Sequence, residues 1–174
     1  MTDVVLAAKI AKLEDREAIR NLCSRYSLAV DDHDFNTLET LFAPDTLYGW
    51  VDQPPQAVGR AATIELLRSR IGPSGPSFHV NHDMIVDWDE NDADRATGVV
   101  FCHAEVIPAG KQLKGAIRYR DTYVKIDGKW MFGSRFLSFL YFAPIEDYAG
   151  ILGVRDRIRV SDTAKPAHWP HYAV

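Results

Sequence analysis

Only two cysteines, Cys23 and Cys102, occur in the chain, each among apolar neighbours. So few thiols exclude a disulfide framework and a cysteine-rich structural zinc site, and they fit a reducing compartment. Concentrated positive charge is equally scarce. Lys and Arg number 20 against 24 Asp and Glu, the formal net charge is −4, and no Lys/Arg-rich run or basic stripe with interleaved aromatics is present. Nucleic-acid binding rests mainly on neutralising phosphates, so no nucleic-acid partner is expected. No run of about 18 apolar residues is available to span a bilayer. The opening "MTDVVLAAKIAKLEDREAIR" also lacks the basic start, continuous apolar core and small-residue cleavage site of a secretory signal. A cytoplasmic protein with no membrane partner is expected.

What is present is ordinary folding material. Hydrophobic residues make up 47% and charged residues 25% of 174 residues, which argues against disorder and suits one domain spanning residues 1–174. One site, not two, is therefore sought. Over residues 14–30 the apolar positions Ile19, Leu22, Cys23, Tyr26, Ala29 and Val30 recur at three- and four-residue steps, the mark of an amphipathic helix. Leu6, Ile10 and Leu13 extend a weaker version toward the start. "DFNTLETLFAPD" predicts a second, short helix with Asp34 as N-cap, Leu38, Leu41 and Phe42 as buried stripe, and Pro44 as its stop. After a strand at "TLYGWV" and the loop "DQPPQAVG", a third helix is expected in "RAATIELLRSRIG", with Ile64, Leu67 and Ile71 on one face and a terminal glycine.

From about residue 78 to 142 the period changes to two in four segments, "SFHVNHDMIVDW", "RATGVVFCHAEVI", "GAIRYRDTYVKI" and "KWMFGSRFLSFLYF". Asp127-Gly128 joins the last two as a hairpin, because both central positions of such a turn favour positive φ. Helices first and strands later predict an α+β protein, with N-terminal helices packed on one face of a curved, mainly antiparallel sheet. The extension over residues 144–174 has several prolines, the cluster "HWPHY" and no periodicity. It reads as a lid, a partner-binding strap or a loose end, the loose end weighing about as much as the other two together.

Strict alternation assigns Phe78, Val80, His82, Met84, Val86 and Trp88 to one face and His79, Asn81, Asp83, Ile85 and Asp87 to the other. The two histidines of "HVNH" then point apart, which argues against their joint ligation of a metal. His103 shares a face with Val99, Phe101, Glu105 and Ile107, a setting that predicts a hydrogen-bonded histidine against apolar surface or at a cavity wall. Arg135 falls with Met131, Leu137, Phe139 and Tyr141, and a guanidinium there needs a protein carboxylate or an anionic ligand. Tyr26 lies on the buried stripe of the first helix. In "YSLAVDDHD" periodicity leaves Asp31 at the edge of that stripe and turns His33 or Asp34 inward, at the helix end where such a reading is weakest.

The segments "AIRNLCSRYSLAVDDHD", "FHVNHDMIVDW" and "YVKIDGKWMFGSR", in this order of helices and strands, resemble the SnoaL-like branch of the nuclear transport factor 2-like superfamily. The resemblance covers residues 15–142 and implies a cone-shaped α+β fold. Within the branch the chain is similar to the scytalone dehydratase, hexachlorocyclohexane dehydrochlorinase and bile acid 7-alpha-dehydratase families. Their pattern of an aspartate at the end of the first long helix, paired with a histidine on the first long strand, falls on Asp31 and His79. A tyrosine five residues before the aspartate falls on Tyr26, an arginine after the "DGxW" hairpin on Arg135, and a second histidine on or near His103. The dehydrochlorinases have a lysine where this chain has Tyr26, so their dehalogenation is not implied.

The resemblance implies a dehydratase-type lyase acting on a small apolar or aromatic ring-containing ligand. Asp31 would fix the tautomer of His79, and His79 would act as general base. Tyr26 and His103 would donate to the leaving hydroxyl or enolate oxygen, and Arg135 would stabilise the developing charge. No cofactor and no metal enter this scheme. The alternatives are a ketosteroid-isomerase-like isomerase or polyketide cyclase using the same base, and a non-catalytic ligand-binding module or dioxygenase small-subunit-like protein. The large aromatic sheet face leads us to expect a homo-oligomer, a dimer or trimer.

Overall fold

The three- and four-residue spacing of the first helix sets which side meets the sheet. In the computed structural model, which describes residues 3–161 and 163–170, α1 (Asp3–Asp31) buries Ile19, Leu22, Cys23, Tyr26, Ala29 and Val30. The helix begins earlier than residue 14, but Val4, Leu6, Ile10 and Leu13 along its first turns are exposed. Asp34 caps α2 (Phe35–Leu41), accepting from the Thr37 N–H at 3.0 Å. Helix α3 (Arg60–Ile71) buries Thr63, Ile64 and Leu67 and ends at Gly72. The second helix stops at Leu41 rather than at Pro44, because Phe42 already begins strand β1 (Phe42–Trp50).

The remaining strands are β2 (Ala57–Val58), β3 (Phe78–Trp88), β4 (Arg95–Val106), β5 (Leu113–Ile126) and β6 (Lys129–Pro144). They form one six-stranded sheet in the order β2-β1-β6-β5-β4-β3. All neighbours pair antiparallel except β1 and β6, which run parallel. The helices pack against this curved, mainly antiparallel sheet, and α1 lies across β3 and β6. The β5–β6 turn has the expected positive φ at both Asp127 (50°) and Gly128 (76°). The apolar face of α1 and the concave sheet face enclose the main core, which includes Ile19, Tyr26, Val100, Tyr119, Tyr123 and Phe132.

Strict two-residue alternation fails at bulges, and each failure moves side chains that matter. In β3 the pairing shifts between Asn81↔Cys102 and Met84↔Val100, leaving one extra residue on β3. The inner row is consequently His79, Asn81, Met84, Val86 and Trp88, not a row containing Asp83, Ile85 and Asp87. In β6, Ser134 pairs with Thr122 and Phe132 with Tyr123, so Gly133 is the extra residue; Leu140 is another, between Phe139↔Ile117 and Tyr141↔Ala116. Arg135 therefore shares the inner face with Trp130, Phe132 and Phe139, while Tyr141 joins a separate cluster with Ala116, Ala143 and Ile151. An inserted residue reverses the facing of everything beyond it, and a period count has no access to that insertion.

Over residues 144–161 and 163–170 the C-terminal extension packs against strand β6. Residues Ile145–Gly153 form a 3₁₀ segment, after which the Phe142 N–H donates to the Arg157 carbonyl (2.9 Å) and the Arg159 N–H to the Phe142 carbonyl (2.8 Å). Further on, the Phe139 N–H donates to His168 Nδ1 at 3.0 Å and the His168 N–H to the Phe139 carbonyl at 2.9 Å. The buried Arg157 guanidinium holds the carbonyls of Leu140, Val154 and Trp169. His171 and Tyr172 of the "HWPHY" cluster lie outside the described residues.

Candidate active site

Asp31 is the last residue of α1 and reaches across to the beginning of β3. Its carboxylate accepts from three donors there: His79 Nδ1 (2.6 Å) and Ser77 Oγ (2.7 Å) on Oδ1, and the His79 backbone N–H (2.8 Å) on Oδ2. The helix is free to end on this residue because His33 takes a positive φ of 53° and Asp34 begins the next helix through its cap. Asp32 is exposed, and neither His33 nor Asp34 turns into the core, so the inward-facing position is Asp31. A carboxylate can only accept, so Nδ1 of His79 carries the proton, and Nε2 of the neutral ring is left as an acceptor. The pair is largely shielded from water, with 10% of the His79 side chain and 15% of the Asp31 side chain exposed.

His79 lines a cavity of about 430 Å³ between α1, α3 and the concave sheet face. Most of its wall is apolar, with Val30, Leu67, Ile117, Leu137 and Phe139 among the lining residues. Three tyrosines, Tyr26, Tyr48 and Tyr119, are among its lining residues. The Tyr26 and Tyr48 hydroxyls are hydrogen-bonded to each other at 3.1 Å. Burial pushes both well into the neutral form, Tyr26 most strongly, so each is a phenol and a hydrogen-bond donor at neutral pH.

Arg135 does not line this cavity. It is fully buried behind it, donating from Nε (3.0 Å) and NH2 (2.7 Å) to the two oxygens of Asp121. The protein carboxylate is thus its partner. Its guanidinium carbon lies 4.2 Å from the ring centres of Tyr26 and Tyr119 and 4.1 Å from that of Phe132. The cation therefore stands against the rings of two cavity-lining tyrosines. Among the described residues, NH1 of Arg135 has no hydrogen-bond partner.

His103 is placed elsewhere. It is exposed on the opposite side of β4, because the inner residues of that strand are Ala96, Gly98, Val100, Cys102 and Ala104. There its Nδ1 meets His82 Nε2 at 2.8 Å, which corrects both its expected apolar setting and its assignment beside His79. Ser77, Tyr48, Tyr119 and Asp121 were not anticipated from the sequence. Ser77 stands two residues before His79, a signal available in "SFH", whereas Tyr48, Tyr119 and Asp121 become neighbours only through strand pairing. Among the described residues no group of three or more His, Cys, Asp or Glu side chains is arranged to hold a metal ion, and no helix is long and apolar enough to cross a membrane.

A family model described as a SnoaL-like domain matches residues 11–135. The chain belongs to the SnoaL-like family. Solved structures similar to this SnoaL-like protein include a type 2 hexachlorocyclohexane dehydrochlorinase, at 19% identity and a TM-score of 0.72 over 79% of this chain and 93% of that one. A scytalone dehydratase-like protein from Novosphingobium aromaticivorans matches at 22% identity and 0.72, over 89% of this chain and 99% of its own. The type 3 dehydrochlorinase from Novosphingobium barchaimii matches at 18% and 0.69, over 79% and 94%. At these identities the likeness establishes the nuclear transport factor 2-like fold.

The electrostatics of Asp31 make this SnoaL-like protein sensitive to acid in a defined direction. Burial opposes ionisation of its carboxyl, but the bonds from the His79 ring, Ser77 and the His79 N–H outweigh it and hold the pKa below the ordinary 3.8. A carboxyl with a depressed folded-state pKa contributes stability that is complete above the unfolded-state value and lost as the pH falls through the folded one. Asp31→Asn should therefore lower the thermal midpoint most near neutral pH, and the deficit should shrink below pH 3.8. A deficit independent of pH across that window would show that the carboxylate's charge is not what these bonds stabilise.

Proposed function

We propose that this protein is a cofactor-independent lyase of the dehydratase type acting on an apolar, oxygenated ring compound. The observation that supports this reading is the Nε2 of a carboxylate-anchored histidine, available at the wall of an apolar cavity. In the proposed reaction, Nε2 of His79 removes a proton from a carbon beside a carbonyl or ring. The electron pair of that C–H bond becomes the new double bond, and the C–O bond of the neighbouring hydroxyl breaks. The imidazolium returns its proton to the departing oxygen, which leaves as water. Asp31 orients the ring and balances the imidazolium charge between the two transfers. The Tyr26–Tyr48 hydroxyls hydrogen-bond the oxygen on which negative charge grows. Arg135, one layer beneath, polarises those hydroxyls rather than touching substrate.

The paired tyrosine hydroxyls also suit an enolate that is reprotonated elsewhere without losing a group, which is the isomerase reading. Product mass separates the two. Incubation with hydroxylated ring ketones, followed by mass spectrometry, should give a product lighter by one water. A product of unchanged mass with a moved double bond would favour the isomerase. Binding without conversion across the set, together with identical behaviour of a His79→Ala variant, would favour a ligand-binding module.

A further inference from the structure

The charge lining the cavity is one-sided. Of its lining residues among those described, only Arg70 carries a permanent charge, and no Asp or Glu is among them. Arg70 sits in the last turn of α3, where the chain turns through Ser74 and Ser77 toward His79, and it is exposed at the cavity's edge. Its NH1 donates to Gln56 Oε1 at 3.2 Å, a neutral acceptor, and no carboxylate pairs with it among the described residues. Arg68, two residues earlier, has its guanidinium 4.4 Å over the Phe35 ring on another side of the helix. Arg70 is thus the cation that remains directed at the cavity. A guanidinium has five N–H donors in a planar fork that matches the two oxygens of a carboxylate.

We propose that the ligand of this cavity is a ring compound bearing an anionic carboxylate-type substituent, which Arg70 binds at the edge while the apolar wall holds the ring. The proposal rests on the reading of this cavity as the substrate site and adds the substrate's charge. The permanent charge orients the ligand end to end: its anion lies at Arg70 and its ring extends toward the His79 and Tyr26 wall. Arg70 is a specificity residue here and takes no part in proton transfer.

The test is an equilibrium measurement that needs no turnover, so it fails or succeeds independently of the lyase chemistry. Two fluorescent probes of nearly the same shape are titrated into the full chain: 8-anilinonaphthalene-1-sulfonate, which has one anionic group, and neutral N-phenyl-1-naphthylamine. The unmodified protein should bind the sulfonate tighter by about fivefold, the upper end for an exposed ion pair. The two probes should displace each other, and the preference should fall with added salt. Arg70→Gln should abolish the preference while leaving the neutral probe's affinity unchanged, and Arg70→Lys should keep part of it. An unmodified protein with no preference, including one that binds neither probe, overturns the proposal. So does a preference that survives in Arg70→Gln.

Discussion

Turnover by a His79→Ala variant is expected to fall by about 10² to 10⁴, the usual worth of a positioned general base. The loss should appear in kcat with little change in KM, because the imidazole acts on the reacting proton and the apolar wall supplies most of the binding. Asp31→Asn is the more telling companion. An amide in place of the carboxylate can offer an N–H to Nδ1, which places the ring proton on Nε2 and removes the acceptor facing the cavity. Kinetics on the folded variant should thus approach those of His79→Ala although the imidazole is intact. A folded Asp31→Asn protein with full activity would remove the dyad from the mechanism.

The second large effect is on stability. Asp121 and Arg135 are both fully shielded from water, joined by two hydrogen bonds in the centre of the sheet. Asp121→Ala leaves a buried guanidinium unpaired among Tyr26, Tyr119 and Phe132, a loss of about 3–5 kcal/mol. In thermal unfolding that corresponds to a fall in Tm on the order of 10 °C. The double variant Asp121→Leu with Arg135→Met should recover much of it, since a well-packed apolar pair avoids the desolvation of both charges. It should not recover turnover if Arg135 polarises the Tyr26 hydroxyl as proposed. A fully active double variant would reduce Arg135 to a structural role.

Much of the fold was legible because helix and strand periodicities are local. The stripe from Ile19 to Val30, the Asp34 cap, the α3 face and the Asp127-Gly128 turn each depend on residues within a few positions of one another, and the structure has them where the pattern placed them. The faces of β3 and β6 were legible only as far as the bulges after Asn81 and at Gly133 and Leu140. Past those points a one-residue insertion reverses inside and outside. This is why alternation groups Tyr141 with Arg135 although Tyr141 lies in another cluster. At His103 alternation fails for a different reason: apolar residues lie on both faces of β4, and alternation does not say which face the helices cover.

By itself, then, the sequence determined the elements, their order, the turn and cap chemistry and the acidic, thiol-poor character of the chain, all of which follow from covalent neighbours. Its resemblance to a family pointed to Asp31 and His79, 48 residues apart, as a pair. Only the tertiary structure decided that Ser77 shares the Asp31 carboxylate, that Tyr48 and Tyr119 join Tyr26 at the cavity, and that Arg135 spends its charge on Asp121. It also left Arg70 as the permanent charge on the cavity wall. Those outcomes depend on strand register, on bulges and on which carboxylate comes within a few ångströms of which cation. Such distances are fixed when the whole chain closes around its core, and no local stretch of residues encodes them.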